Sequence, residues 1–380
     1  MRLHNVRLLN AQGLSSPRTV DIEAGSGEDR DATGLILSPG WLDLHAHLRD
    51  PGFPEKETLG SGAASAAFGG FTHVVAMANT MPVTDQADRV RELVARAADL
   101  PIRVSVVGAV TLGLDGRDLT DAMALKAAGA VALSDDGRHL MGGDTLARAL
   151  RAAARAGLPV LIHAQADHLG SGPEAEAAAV TEALHSLAQA PGARLHIQHV
   201  STRAAVESIR AAKQRALPVT AEVTPHHLAL TAGDVAPMGP FGNVNPPLRS
   251  IDDRDALREA LNQGVIDVIA TDHAPHDVAA KAAGASGFHG FETALPVLIG
   301  LGLDARVLYR ACVARPREII DQSIENEWIL IDPDREWTVE ATSFKSRGRN
   351  TPFDGRRVRG RIVMTVCRGQ VIVERMLQRV

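Results

Sequence analysis

Two histidines one residue apart are the first side chains in this sequence whose types and spacing could do chemistry. They lie in Leu42-Asp43-Leu44-His45-Ala46-His47-Leu48-Arg49-Asp50-Pro51-Gly52. Leu42 and Leu44 alternate with Asp43 and His45, the period-two pattern of a strand. On a strand, residues i and i+2 share a face, so His45 and His47 project side by side as two imidazoles able to hold one metal ion. Arg49 stands two residues further on, at the strand's end, where it can meet an anionic substrate beside that ion. An H-x-H pair alone is equally explained by two hydrogen-bonded or solvent-facing histidines. The elements that would position it decide between the two.

From about residue 55 to 320, helical stretches rich in Ala, Leu and Arg alternate with short apolar, β-branched runs. The helical stretches are 85–100, 119–128, 144–156, 173–190, 202–216 and 250–263. Strand-like runs follow at 72–77, 103–107, 131–134, 160–163, 195–200, 219–223 and 265–270. With the His45 strand this makes eight, the expectation for a (β/α)8 barrel over residues 41–324. A doubly wound open sheet is the structural alternative, but no glycine-rich dinucleotide fingerprint follows the first strand. Residues 1–40 and 325–380 are rich in strands and turns instead, as in Trp328-Ile329-Leu330-Ile331-Asp332-Pro333, and are expected to meet as one small β domain.

In a barrel of this kind, catalytic residues sit at the C-terminal ends of the strands. His45 and His47 end strand one, Asp135-Asp136 follow strand four, His163 ends strand five, His199 strand six and Asp272 strand eight. Imidazole and carboxylate ligands without thiolate suit Zn²⁺. Four histidines and two aspartates exceed what one tetrahedral ion needs. The count points to two ions bridged by one carboxylate, with a shared hydroxide of lowered pKa. Alternation puts Ala132, Ser134 and Asp136 on one face of strand four and Val131, Leu133 and Asp135 on the other. The smaller, more polar set suits a face turned to a polar site, which favours Asp136 over Asp135 as the bridge. His226-His227 and His73 read as structural.

Composition narrows the partners. The chain has 380 residues, 45% hydrophobic and 22% charged, with a net charge of −5 and only 3% aromatics. An acidic balance with few stacking surfaces argues against nucleic acid. The basic stretches 345–349 and 356–359 are short and read as surface loops. Two distant cysteines, Cys312 and Cys367, are too few for a disulfide scaffold and fit a reducing compartment. No apolar run approaches the roughly 20 residues that span a bilayer, and the first residues lack an apolar secretory core. A cytoplasmic enzyme acting on a small molecule is expected, with no membrane and no nucleic-acid partner.

The motifs LDLHAHLRDPG, MANTMPVTD, ALSDDG, LHIQHVST, EVTPHHLALT, NVNPPLR, IATDHAPH and GFETALP run in order from about residue 36 to 300, and SRGRNTPF follows at 346–353. Together they resemble bacterial type I dihydroorotases of the cyclic amidohydrolase superfamily. The resemblance implies a zinc enzyme that reversibly opens dihydroorotate to N-carbamoyl-L-aspartate. It implies that His45, His47 and Asp272 hold one zinc, that His163 and His199 hold a second, and that Asp136 bridges them. Asp272 would serve as general base and then acid. Arg49, Asn79 and His276 would meet the substrate carboxylate, and Asn245 the ring amide. The expected assembly is a homodimer, with aspartate carbamoyltransferase a candidate partner; the alternative of a non-catalytic partner of that transferase is disfavoured because such chains tend to lose metal ligands and this one keeps all six.

Hydantoinases and allantoinases, cousins in the superfamily, usually bridge their metals with a carboxylated lysine on strand four. Here that strand reads VALSDDG and holds no lysine; Lys126 falls upstream in a helical stretch. Three departures from the dihydroorotase pattern stand out. Ala78 replaces a proline before Asn79, Gln165 replaces an acid after His163, and the Ala/Gly-rich stretch 277–286 reads as a mobile lid.

Overall fold

The computed structural model describes residues 1–25, 27–138 and 144–375. Eight parallel strands pair in sequence order: β1 (Trp41–Ala46), β2 (Phe71–Ala76), β3 (Arg103–Gly108), β4 (Ala130–Ser134), β5 (Val160–Ile162), β6 (Leu195–Ile197), β7 (Val219–Val223) and β8 (Val268–Ile269). β8 is shorter than its apolar run, because Val265 and Ile266 belong to the turn that leads into it. The helices lie where the sequence pattern put them, at Ala87–Ala97, Ala122–Ala127, Thr145–Ala156, Pro173–Ala188, Arg203–Gln214 and Ile251–Gln263. Local chemistry starts several of them. Thr202 and Ser250 cap two by accepting hydrogen bonds from the amides of Ala205 and Asp253.

The barrel closes just past β8. His273 bridges Ala46 of β1 in parallel, and the His47 amide donates to the His273 carbonyl at 2.8 Å. A buried carboxylate secures this seam. Asp43 accepts from the Thr271 amide at 3.0 Å, from the Thr271 hydroxyl, and from the His45 amide at 3.2 Å. Leu42, Leu44, Val75, Val107, Ala132, Leu161, Val268 and Ala270 form one apolar cluster filling the barrel interior. Trp41, Phe71, Val106, Leu133, Ile162 and Ile197 join the larger cluster under the helices. This is the two-sided burial that parallel strands require.

β1 departs from simple alternation. Leu42 and Leu44 point into the barrel, so unbroken period two would send His45 and His47 outward. The β1–β2 pairing shifts register between Asp43 and Ala46. That irregularity reverses the phase, so both histidines turn inward at the mouth while Ala46 and Leu48 pack outside. A bulge that re-aims side chains beside a site is a familiar device of sheets.

Both chain ends build a second, mixed sheet. Ile36–Pro39 pairs antiparallel with Trp328–Thr338, which pairs with Arg357–Cys367 and then Gln370–Glu374, while Arg2–Asn10 lies on the other flank. Residue 26 and residues 376–380, which the sequence assigns to this terminal unit, lie outside the described residues. The basic stretch 356–359 begins a strand rather than forming a loop, because its pairing partner at Glu336–Thr338 is distant in sequence. At the junction, Gly40 passes so close to Thr72 that a Cβ would stand 2.0 Å from its hydroxyl oxygen. Arg317, buried there, donates to the Gly40 carbonyl at 2.9 Å and to Glu327 at 3.1 Å.

Replacing Asp43 with alanine strands the Thr271 amide and hydroxyl inside the closed seam. Asp43→Ala is therefore expected to cost about 2–4 kcal/mol, read as a lowered midpoint in urea unfolding. An unchanged midpoint would show that the seam does not depend on this carboxylate.

Candidate metal centre

The strand ends bring His45, His47, Asp136, His163, His199 and Asp272 into one buried cluster. Asp136 is at its middle. Its carboxylate oxygens lie 3.4 Å from His45 Nε2, 3.3 Å from His47 Nε2, and 3.8 Å from both His163 Nδ1 and His199 Nε2. Asp272 Oδ1 lies 3.1 Å from His47 Nε2 and 3.5 Å from His45 Nε2. Asp135 points elsewhere. It accepts from the amides of Val110 and Thr111 at 2.7 and 3.0 Å and from the Thr111 hydroxyl, so it serves the loop after β3.

Electrostatics match the packing. Burial pushes Asp136 and Asp272 up, yet the surrounding histidines overcome it and hold both carboxyls below the usual range. Burial disfavours imidazolium at His45, but Asp136, Asp272 and Glu222 together raise it well above its ordinary value. His199 goes the other way. Burial, and then the charge of His163, lowers it to about 3.

The donor set fits a bound cation. His45, His47 and Asp136 form one group of donor atoms within 4.8 Å of one another, and Asp136, His163 and His199 form another. Among the described residues, His45 Nε2 and Asp136 Oδ1 are buried with no hydrogen-bond partner, an expensive arrangement unless something else satisfies them. Backbone geometry adds to the cost. Arg49, His199 and Asp272 all have positive φ, at 58°, 32° and 46°, a left-handed region that side chains with a Cβ enter at about 1–3 kcal/mol each.

A layer of residues orients these donors, and sequence reasoning missed its principal member. Glu222, fully buried on β7, lies 2.6 Å from His45 Nδ1 and 3.0 Å from His196 Nε2, and accepts from the His199 amide at 3.2 Å. Burial opposes its ionisation, but His45 and His196 bring it down to about 2. The signal was a glutamate near the end of a buried strand, the first residue of EVTPHH. The His227 ring lies between the Thr224 hydroxyl and the Pro246 carbonyl, at 2.8 and 3.1 Å.

Around the mouth, Arg49 Nη2 lies 3.3 Å from His276 Nε2. Among the described residues, Arg49 Nε is buried without an acceptor and no acidic side chain pairs with this guanidinium. Asn79 sits on the metal side of the pocket. Its Oδ1 lies 2.9 Å from His47 Nδ1, and its amide donates to the Asp136 carbonyl at 3.4 Å. Asn245 Nδ2 lies 3.2 Å from His163 Nε2. The basic stretch 345–349 is part of this rim. Ser346 donates to Glu57, whose carboxylate lies 3.2 Å from His273, and Asn350 Oδ1 accepts from the His276 amide at 3.0 Å.

A dihydroorotase from Anaeromyxobacter dehalogenans is 43% identical over 379 residues, covering 90% of this chain and 88% of that protein. The chain belongs to the dihydroorotase family. A second member, from Thermus aquaticus, is 38% identical over 421 residues and covers 98% of this chain and 99% of its own. The family model described as dihydro-orotase-like matches residues 34–205, which hold every candidate donor except Asp272. Among solved structures, an L-hydantoinase (dihydropyrimidinase) from Arthrobacter aurescens superposes with a TM-score of 0.88 at 25% identity, over 100% of this chain and 97% of that one. A Thermus D-hydantoinase at 21% identity gives 0.80 and shares the fold. Against these cousins, β4 holds no lysine, and Lys126 lies in the helix Ala122–Ala127.

Glu222→Gln removes the charge behind His45 and is expected to weaken metal binding by roughly tenfold to a hundredfold, measured by chelator competition. Asp135→Asn should lower stability and leave metal affinity unchanged. Equal metal losses in both variants would contradict the separation of roles.

Proposed function

We propose that this chain is a zinc dihydroorotase, interconverting dihydroorotate and N-carbamoyl-L-aspartate. The observation that carries the reading is a guanidinium with an unused buried N–H, placed beside a cluster of metal donors. That combination suits a cyclic amide bearing a carboxylate. Two zinc ions are proposed, one on His45, His47 and Asp272 and one on His163 and His199, with Asp136 between them. When bound, the metals supply Lewis acidity that lowers the pKa of water and polarises an amide carbonyl.

The chain's own groups do the rest. Arg49 offers paired N–H donors to the substrate carboxylate, with His276 beside it. Burial and the Arg49 charge lower His276 to about 3, so its ring meets the substrate neutral. Asn245 presents an amide to the ring's own amide, and Asn79 steadies His47 and reaches toward the carboxylate. Asp272, ionised by its histidine neighbours, takes a proton from the attacking water and returns it to the ring nitrogen as the C–N bond breaks. In the reverse direction it takes the proton from the carbamoyl nitrogen.

We assign residues 41–324 to the catalytic barrel and 1–40 with 325–380 to the small β domain. Among the described residues no helix is long and apolar enough to cross a membrane. A cytoplasmic homodimer, with aspartate carbamoyltransferase as its macromolecular partner, is the setting this chemistry suits. The structural likeness to hydantoinases favours a second reading, a hydantoin-type substrate. The lysine-free β4 and an Arg49 with no acidic partner among the described residues count against it, since a hydantoin ring need carry no carboxylate.

The zinc-loaded chain should interconvert the two compounds, and a substrate panel should rank dihydroorotate above hydantoin and allantoin. Asp272→Asn is expected to lower kcat by about 10²–10⁴. Arg49→Met should raise KM for dihydroorotate by roughly tenfold to a hundredfold, through lost charge-assisted hydrogen bonds. No turnover of dihydroorotate by the loaded wild-type chain would sink the reading.

A further inference from the structure

Lys281 lies in the Ala/Gly-rich stretch that follows His276, and it is 1% exposed. The stretch contains the short helix Val278–Ala282, whose first turn is capped by the Asp277 side chain accepting from the Ala280 amide at 2.8 Å. The Lys281 ammonium donates to three main-chain carbonyls: Asn243 at 2.7 Å, Ala285 at 2.8 Å and Gly287 at 3.1 Å. An ammonium has three N–H donors and no acceptor, so this set is complete. Among the described residues no carboxylate pairs with it. Burial lowers its pKa to about 8, so the charged form costs the fold stability. The reason for a lysine lies in what its three bonds hold.

Two of them flank one residue. Ala285 and Gly287 stand on either side of Ser286, whose carbonyl lies 2.9 Å from His276 Nε2. The third reaches Asn243, two residues before Asn245, on the loop whose Asn245 meets His163. Further bonds follow the same line, from the Gly287 amide to the Asn243 carbonyl at 3.1 Å and from the Asn243 side chain to the Gly284 carbonyl at 2.6 Å. Gly287 permits the approach. It has φ +137°, and a Cβ there would lie 2.6 Å from that of Ala274.

We propose that Lys281 is a positioning residue. Its ammonium staples the loop carrying His276 to the loop carrying Asn245, and so sets the two sides of the substrate pocket at their working separation. The proposal rests on the dihydroorotase reading for the roles of His276 and Asn245. Both groups bind ground state and transition state alike, so loosening them acts on KM more than on kcat.

The test uses the zinc-loaded full chain with Lys281→Met, which removes all three donors, and Lys281→Gln, which keeps two. Expected in Lys281→Met is a KM for dihydroorotate raised by about tenfold or more with kcat within about threefold, and an intermediate KM in Lys281→Gln. Hydrogen exchange of amides 276–289 should quicken by about tenfold while those of β1 to β6 stay as in wild type. An unchanged KM overturns the proposal, as does a joint loss of kcat, KM and barrel protection. If the wild-type chain fails to turn over dihydroorotate, the activity reading falls by itself. Exchange then judges the staple, and unaltered exchange at 276–289 overturns it.

Discussion

The Asp136 carboxylate is held between four imidazoles in a pocket almost closed to water, 3.3–3.8 Å from a ring nitrogen of each. Removing so many titratable groups from water is costly, and they repay the cost only by satisfying one another or a shared cation. Opposite shifts follow from that crowding. Carboxyls are forced to ionise, His45 is drawn toward imidazolium, and His199 is kept neutral. Such divergence among neighbours is what a catalytic centre needs, because acid, base and ligand roles require different protonation at one pH.

The cluster depends on groups that never face substrate. Glu222 fixes His45 and His196 from behind and accepts the His199 amide, so one carboxylate aligns parts of β1 and β6. Asp43 does similar work at the seam, while Asn79, a pocket residue, also holds His47. The left-handed backbone at His199 and Asp272 is a further cost that the surrounding packing meets. Rigid strands with oriented ligands give more exact placement than loops could.

The terminal segments contribute more than a separate sheet. Ser346 and Asn350 leave that sheet to hold Glu57 and the backbone around His276, Ala274 and Gly287. The substrate side of the mouth is thus assembled from the barrel and from the distant stretch that holds Ser346 and Asn350. A change in the terminal sheet can therefore reach the pocket without touching a strand of the barrel.

Sequence alone determined the eight strands, the helices between them except Leu59–Gly69, and the identity of the six clustered side chains. Each rests on short-range pattern: apolar runs of strand length, amphipathic stretches, and polar residues where those runs end. The preference for Asp136 over Asp135 was also legible in alternation, whereas the inward turn of His45 and His47 was not. Only the register shift between β1 and β2 reverses their face, and pairing between strands is a non-local property. Glu222, Ser346, Asn350 and Lys281 went unassigned for the same reason: they meet His45, Glu57, His276 and Asn243 across 177, 289, 74 and 38 residues, and no spacing announces such partners. The basic stretches 345–349 and 356–359 looked like surface loops because charge describes a segment, not the neighbour it packs against. Composition and spacing decide which chemistry a chain can do; tertiary contact decides which of its buried polar groups share a pocket, because only there does losing water force them to find each other.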